Sequence, residues 1–130
     1  GLMPLATLCQ PPQGMTVELD GDNVDNAQVA FMNALRMNPR EPEYYLLLGW
    51  TMYQNYKSSG NDTAINRAVG FIRKVIVMNP QEDRAFLYLG SIYRDRGQID
   101  LAKQLYLRAL KHNPQNQEAQ RALEELGQPS

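Results

Sequence analysis

Residues 83–116 read DRAFLYLGSIYRDRGQIDLAKQLYLRALKHNPQN, and the spacing inside this stretch decides the fold. Counting Asp83 as place 1, an aromatic ring stands at place 4 (Phe86), Leu89-Gly90 at places 7 and 8, Tyr93 at 11, Ala102 at 20, Tyr106 at 24, Ala109 at 27 and Pro114 at 32. Apolar residues three and four apart share one face of a helix, so the stretch predicts two helices joined by a short turn. Gly90 and Ala102 are small where the two helices must approach closely. Phe86 and Tyr106 fill the gap beside them, and Pro114 cannot continue the second helix.

The same punctuation recurs along the chain. Asn38-Pro39, Asn79-Pro80 and Asn113-Pro114 each close a helical pattern, and the last two prolines are 34 apart (114 minus 80). That period, with the series W-x2-L-G-x2-Y, A-x3-F and P, makes the chain resemble the tetratricopeptide repeat family. A second copy spans Pro42 to Glu82, with Tyr45, Leu48-Gly49 and Met52 on its first helix and Ala68, Ile72, Val75 and Pro80 on its second. Here the prolines are 41 apart (80 minus 39), a surplus of 7 over the repeat, and the surplus lies in the polar stretch Asn55 to Asp62. This stretch predicts a longer first helix, a Ser-Ser-Gly loop, and a cap on the next helix from Asn61 or Asp62. It reads as a tolerated surface insertion, with a binding loop as the alternative.

The first copy is half present. Ala27, Phe31, Ala34 and Pro39 occupy places 20, 24, 27 and 32, but the preceding helix would fall on Pro11, Pro12 and Gly14, which break helices. At the other end, residues 117–126 are polar except for Ala119, Ala122, Leu123 and Leu126, a narrow stripe that suits a terminal capping helix. The resemblance therefore implies an all-α right-handed solenoid of about two and a half repeats plus a C-terminal capping helix. Helices are expected near residues 22–37, 42–57, 62–78, 83–95, 99–112 and 117–126, with an irregular arm at 1–21, the repeat domain at 22–126 and a tail at 127–130.

Composition agrees with a small helical domain and excludes several function classes. The 130 residues carry a net charge of -1, which gives no general attraction to nucleic acid. The longest apolar run, about Tyr44 to Met52, is too short to span a bilayer, so no membrane insertion is expected. One cysteine, Cys9, forms no internal disulfide, and the first ten residues lack the basic region of a secretion signal. A cytoplasmic setting is the expectation, or a periplasmic one should a signal precede this sequence.

Charge is unevenly laid out. Residues 1–35 hold Glu18, Asp20, Asp22 and Asp25 with no Lys or Arg, while residues 63–112 hold nine Lys or Arg against Glu82, Asp83, Asp95 and Asp100. We read this as helix N-terminal aspartates and solvated basic faces, the alternative being an acidic arm lying along a basic groove. Glu18 to Asp25 imitates a calcium loop, but started at Asp20 it puts Val24 at a ligand place and Asp25 where glycine should turn the chain. It reads as a turn and N-cap. His112, the only histidine, sits just before Asn113-Pro114 and suits a surface or helix C-terminal contact. No Ser-His-Asp or Cys-His set can be assembled, no Gly-rich phosphate loop is present, and no metal or other cofactor is expected.

The resemblance points instead to a peptide-binding wall. In this family the inward surface is built from places 2, 5, 9, 12 and 13 of each first helix. In one copy these become Glu43, Leu46, Trp50, Tyr53 and Gln54, and in the other Arg84, Leu87, Ser91, Arg94 and Asp95. Trp50 stands out, because place 9 is not a core position of the repeat and tryptophan is a frequent energetic anchor of interfaces. The family's carboxylate clamp for chaperone tails needs Lys and Asn at inward places that here are largely Leu, Trp, Tyr and Ser. The expected ligand is an apolar or aromatic peptide or helix, with Arg84 and Arg94 available for an acid within it. The chain is similar to bacterial modules of this family; the alternatives are a periplasmic assembly factor docking an apocytochrome-like tail, and a homodimerisation module. The arm's Leu2, Met3, Leu5 and Leu8, or a second copy, are the expected covers for the flank of the first helix.

Overall fold

The computed structural model describes residues 26–127. Six helices follow one another: α1 (Asn26–Met37), α2 (Pro42–Tyr56), α3 (Asp62–Met78), α4 (Asp83–Asp95), α5 (Ile99–His112) and α6 (Gln117–Gly127), with no strand among the described residues. The boundaries fall where local chemistry ends a helix. The arm, the acidic stretch Glu18 to Asp25, Cys9 and the helix start expected at Asp22 lie outside the described residues.

Each Asn-Pro pair closes one helix and helps open the next. The Asn113 N–H bonds the Ala109 carbonyl at 2.9 Å while its side-chain oxygen accepts from the Gln115 N–H at 3.1 Å. Asn79 repeats both bonds, to Val75 at 2.7 Å and from Gln81 at 3.3 Å. Two residues further on, the cap of the following helix takes over. Glu41 accepts from the Glu43 N–H at 3.3 Å, Glu82 from the Arg84 N–H at 3.3 Å and Asn116 from the Ala119 N–H at 2.9 Å, each satisfying a donor that the first helical turn leaves open. The surplus residues between α2 and α3 form a turn in which Gly60 takes φ 75°. Of the two expected caps, Asn61 is the one used, accepting from the Ala64 N–H at 3.1 Å.

The chain divides into two compact units, Gly1–Phe71 and Ile72–Ser130, and each is described by itself. In the first, α1 packs on α2. Leu35 is fully buried, as are Leu46 and Leu48 on α2, and the first half of α3 contributes Ala64, Ile65, Ala68 and Val69. The buried Tyr45 donates its hydroxyl to the Pro39 carbonyl at 2.9 Å, tying α2 to the turn before it, and its ring lies 6.2 Å from that of Phe71. Gln28 is the buried polar residue of the described chain, only 5% exposed, and accepts from the Asn55 amide at 2.8 Å across α1 and α2.

In the second unit α4 and α5 form a hairpin through Gly97, whose φ of 84° suits a residue without a Cβ. Its core joins Phe86 and Leu87 of α4, Ala102, Tyr106 and Ala109 of α5, and Ala119 and Ala122 of α6. A Cβ built on Gly90 would lie 2.9 Å from the Tyr106 ring and 3.3 Å from the Ala102 carbonyl, so the glycine sets how closely the two helices approach. The outer face of α6 is exposed and polar (Gln117, Gln120, Arg121, Glu124, Glu125), as expected of a capping helix.

Asp83, the first residue of α4, receives the side-chain amides of Asn113 at 3.0 Å and Asn116 at 2.8 Å, so the α5–α6 turn is stapled to the start of α4. Burial pushes the Asp83 carboxyl up, but the two amides, its own backbone N–H and Arg84 outweigh that and hold it below its ordinary value. A depressed folded value contributes stability that is complete above the unfolded carboxylate range near ~4 and is lost as pH falls through the folded value. Asp83→Asn should therefore cost about 1 kcal/mol at neutral pH, a figure kept small by solvent access. It should also flatten the acid limb of the stability profile below about pH 4. Chemical denaturation of both forms at pH 7 and pH 3 checks this; parallel losses of stability on acidification would refute it.

Candidate peptide-binding face

The residues expected to line a groove separate by exposure, and they do so in register. On α2, Leu46 and Tyr53 are buried, whereas Glu43 and Trp50 are half-buried and Gln54 is exposed. On α4, Leu87 is buried, Arg84, Ser91 and Arg94 are half-buried and Asp95 is exposed. Places 2, 9 and 13 lie seven and four residues apart and so share one helical face, while places 5 and 12 are turned about a fifth of a revolution to the side. The accessible stripe is thus Glu43, Trp50 and Gln54 on α2, and Arg84, Ser91 and Asp95 with Arg94 on α4. Leu46, Tyr53 and Leu87 serve packing, which narrows the sequence expectation.

Trp50 is held by what lies beneath it. Its ring stacks on that of Tyr53, centroids 5.7 Å apart at 29°, and Tyr53 is itself only 3% exposed. The indole thereby rests on a buried ring and is partly exposed. On α4 the polar groups are engaged locally. Ser91 Oγ lies 3.0 Å from the Tyr106 hydroxyl, so its side chain completes a half-buried hydrogen bond. Burial pushes the Tyr106 phenol up despite that bond, so it stays neutral. Arg84 pairs with its own N-cap Glu82 at 3.0 Å in a part-buried contact, and Arg94 with Asp95 at 3.4 Å at the surface.

His112 sits at the end of α5 against an aromatic ring. It stacks on the Phe86 ring, centroids 5.4 Å apart at 22°, and the Arg108 guanidinium lies 5.7 Å from the same ring's centre. Among the described residues no three His, Cys, Asp or Glu side chains converge as a metal site, and no helix is long and apolar enough to cross a membrane. Two features escaped sequence reasoning, the Gln28–Asn55 bond and the Asp83 staple. The recurrence of a capping residue two places after each Asn-Pro pair was the signal for the second.

Residues 83–127, which cover α4, α5 and α6, match the family model of the tetratricopeptide repeat. No curated protein matches the chain.

Proposed function

We propose, from the match of residues 83–127 to the tetratricopeptide repeat, a family whose members generally mediate protein–protein interaction without catalysis, that the chain is an interaction scaffold that binds a peptide or partner helix along the accessible face of α2 that carries Trp50. Trp50 carries the reading. A partly exposed indole backed by a buried tyrosine loses little freedom on binding, a property of an interface anchor. Glu43 and Gln54, two turns and one turn away on the same face, supply the polar rim. α4 presents a face of its own, where ion pairs of the Arg84 and Arg94 kind contribute at most about 1 kcal/mol, so that an acidic ligand there competes for them.

Trp50→Ala should weaken the true ligand roughly thirtyfold or more, since losing a central tryptophan anchor costs at least about 2 kcal/mol of binding. The fold should survive, because the indole is not among the buried side chains of the core. Affinity capture from the source cell with the wild type and Trp50→Ala side by side identifies the ligand as what the variant loses. Trp50 is the only tryptophan, so its emission reports the same event directly. A variant that keeps every captured partner, or one that unfolds, would remove Trp50 from the site.

A further inference from the structure

The C-terminal end of α5 carries Arg108, Lys111 and His112, all three exposed, and among the described residues neither Arg108 nor Lys111 forms an ion pair. Two carboxylates stand where α4, the helix packed on α5, begins, and both are engaged elsewhere. Glu82 pairs with Arg84, and Asp83 accepts the side-chain amides of Asn113 and Asn116. Two of the three basic side chains are also held in place. Phe86, only 4% exposed, carries the stacked His112 ring, and the Arg108 guanidinium lies 5.7 Å from the centre of the same ring. Complementing the helix dipole asks only for cations near the C-terminus; it does not ask for an aromatic seat that fixes them. Toward the start of the helix, at spacings of four and three from Arg108, the same face continues through the exposed Gln104 and Leu101. Asp100, the acid of α5, lies in its first turn.

We propose that this face of α5 is a docking site for an acidic helical segment of a partner protein, built from second-unit residues alone and beyond the reading that rests on Trp50. Charge complementarity selects the occupant. Arg108 and Lys111 present two cations within one turn, which matches two Asp or Glu side chains three or four apart on a helix. His112 adds a ring N–H, and because it and Arg108 rest on Phe86, little of their freedom remains to be lost on binding. Leu101, seven residues and two turns before Arg108, takes an apolar residue of the same segment, a contact that a nucleic-acid backbone does not supply. A bilayer is not the match either, since the apolar face of α5 is packed into the core with α4 and α6.

The probe is a fluorescein-labelled helical peptide with two glutamates three apart and a leucine two turns from the first of them, titrated with the full chain by fluorescence anisotropy. Saturable one-to-one binding is expected, at least about tenfold weaker for the same peptide with glutamine in place of glutamate, since a lost charge-assisted hydrogen bond carries a factor of that size. Arg108→Gln should weaken binding by about tenfold with an unchanged circular dichroism spectrum. Lys103→Gln removes an equal charge from another side of α5 and should change it by less than about twofold at physiological salt, where distant exposed charges are screened. Trp50→Ala should leave this binding intact, so that the two surfaces stand or fall separately. No saturable binding at millimolar peptide, or equal losses from Arg108→Gln and Lys103→Gln, overturns the proposal. So does tighter binding of duplex DNA or of phosphatidylserine vesicles than of the acidic peptide, which would make a nucleic acid or a membrane the occupant.

Discussion

Gly90→Val should destabilise the second unit by about 3 kcal/mol or more, and Gly90→Ala by about 1 to 2 kcal/mol. Alanine at an ordinary helical position is better than glycine by about 1 kcal/mol, so the intrinsic preference opposes the predicted sign. Sterics win at this position. The new Cβ lands 2.9 and 3.0 Å from two atoms of the Tyr106 ring and 3.3 Å from the Ala102 carbonyl. The ring has nowhere to go, being fully buried with its hydroxyl beside Ser91, and the carbonyl belongs to the backbone of α5. Valine adds two methyl groups and a branched Cβ in the same place. Gly70 is the internal control: it is exposed within α3 and an added Cβ meets nothing within 4 Å, so Gly70→Ala should stabilise by about 1 kcal/mol. Urea unfolding of the three variants decides the matter. Gly90→Ala matching or exceeding the wild type would show that helix approach in this hairpin is not set by the glycine.

That contact was legible in the sequence because every element of it is local or recurs at a fixed period. Pro114, Gly97, Asn116 and the Gly90–Ala102 pair each act within a turn or one hairpin, and the helices of the described chain start and stop where these residues require. The exposure of the candidate wall was less legible, and α2 shows why. Tyr44 to Trp50 is apolar almost continuously, so helical periodicity offers no polar side from which to tell inside from outside. Leu46 and Tyr53 therefore looked like ligand contacts and are buried. On α4 the polar Ser91 looked available, whereas it completes a hydrogen bond with Tyr106, fifteen residues away. The Asp83 staple joins residues 30 and 33 apart, and the Gln28–Asn55 bond residues 27 apart. Separations of this kind become visible only once two helices have been laid against each other.

Tyr106→Ala should cost about 3 to 5 kcal/mol, the range for removing a fully buried aromatic side chain. Tyr106→Phe should cost only about 1 kcal/mol, because it keeps the ring and gives up the contact with Ser91. The ring also fills the space that the missing Gly90 side chain leaves, so the two positions are coupled. Removing the ring opens a cavity on the side where a valine at position 90 would project, and the valine methyl groups then enter empty space instead of meeting an aromatic carbon at 2.9 Å. The double variant Gly90→Val/Tyr106→Ala should consequently be less destabilised than the sum of the single variants, by at least about 1 kcal/mol, as residues in direct contact require. Each arm of the cycle is read as the change in unfolding midpoint at unchanged slope, so that altered compactness of the unfolded chain does not pass for coupling. Additivity within about 0.5 kcal/mol would mean that the valine is accommodated by movement of α4 and not by the Tyr106 site, and the glycine would lose its assigned role.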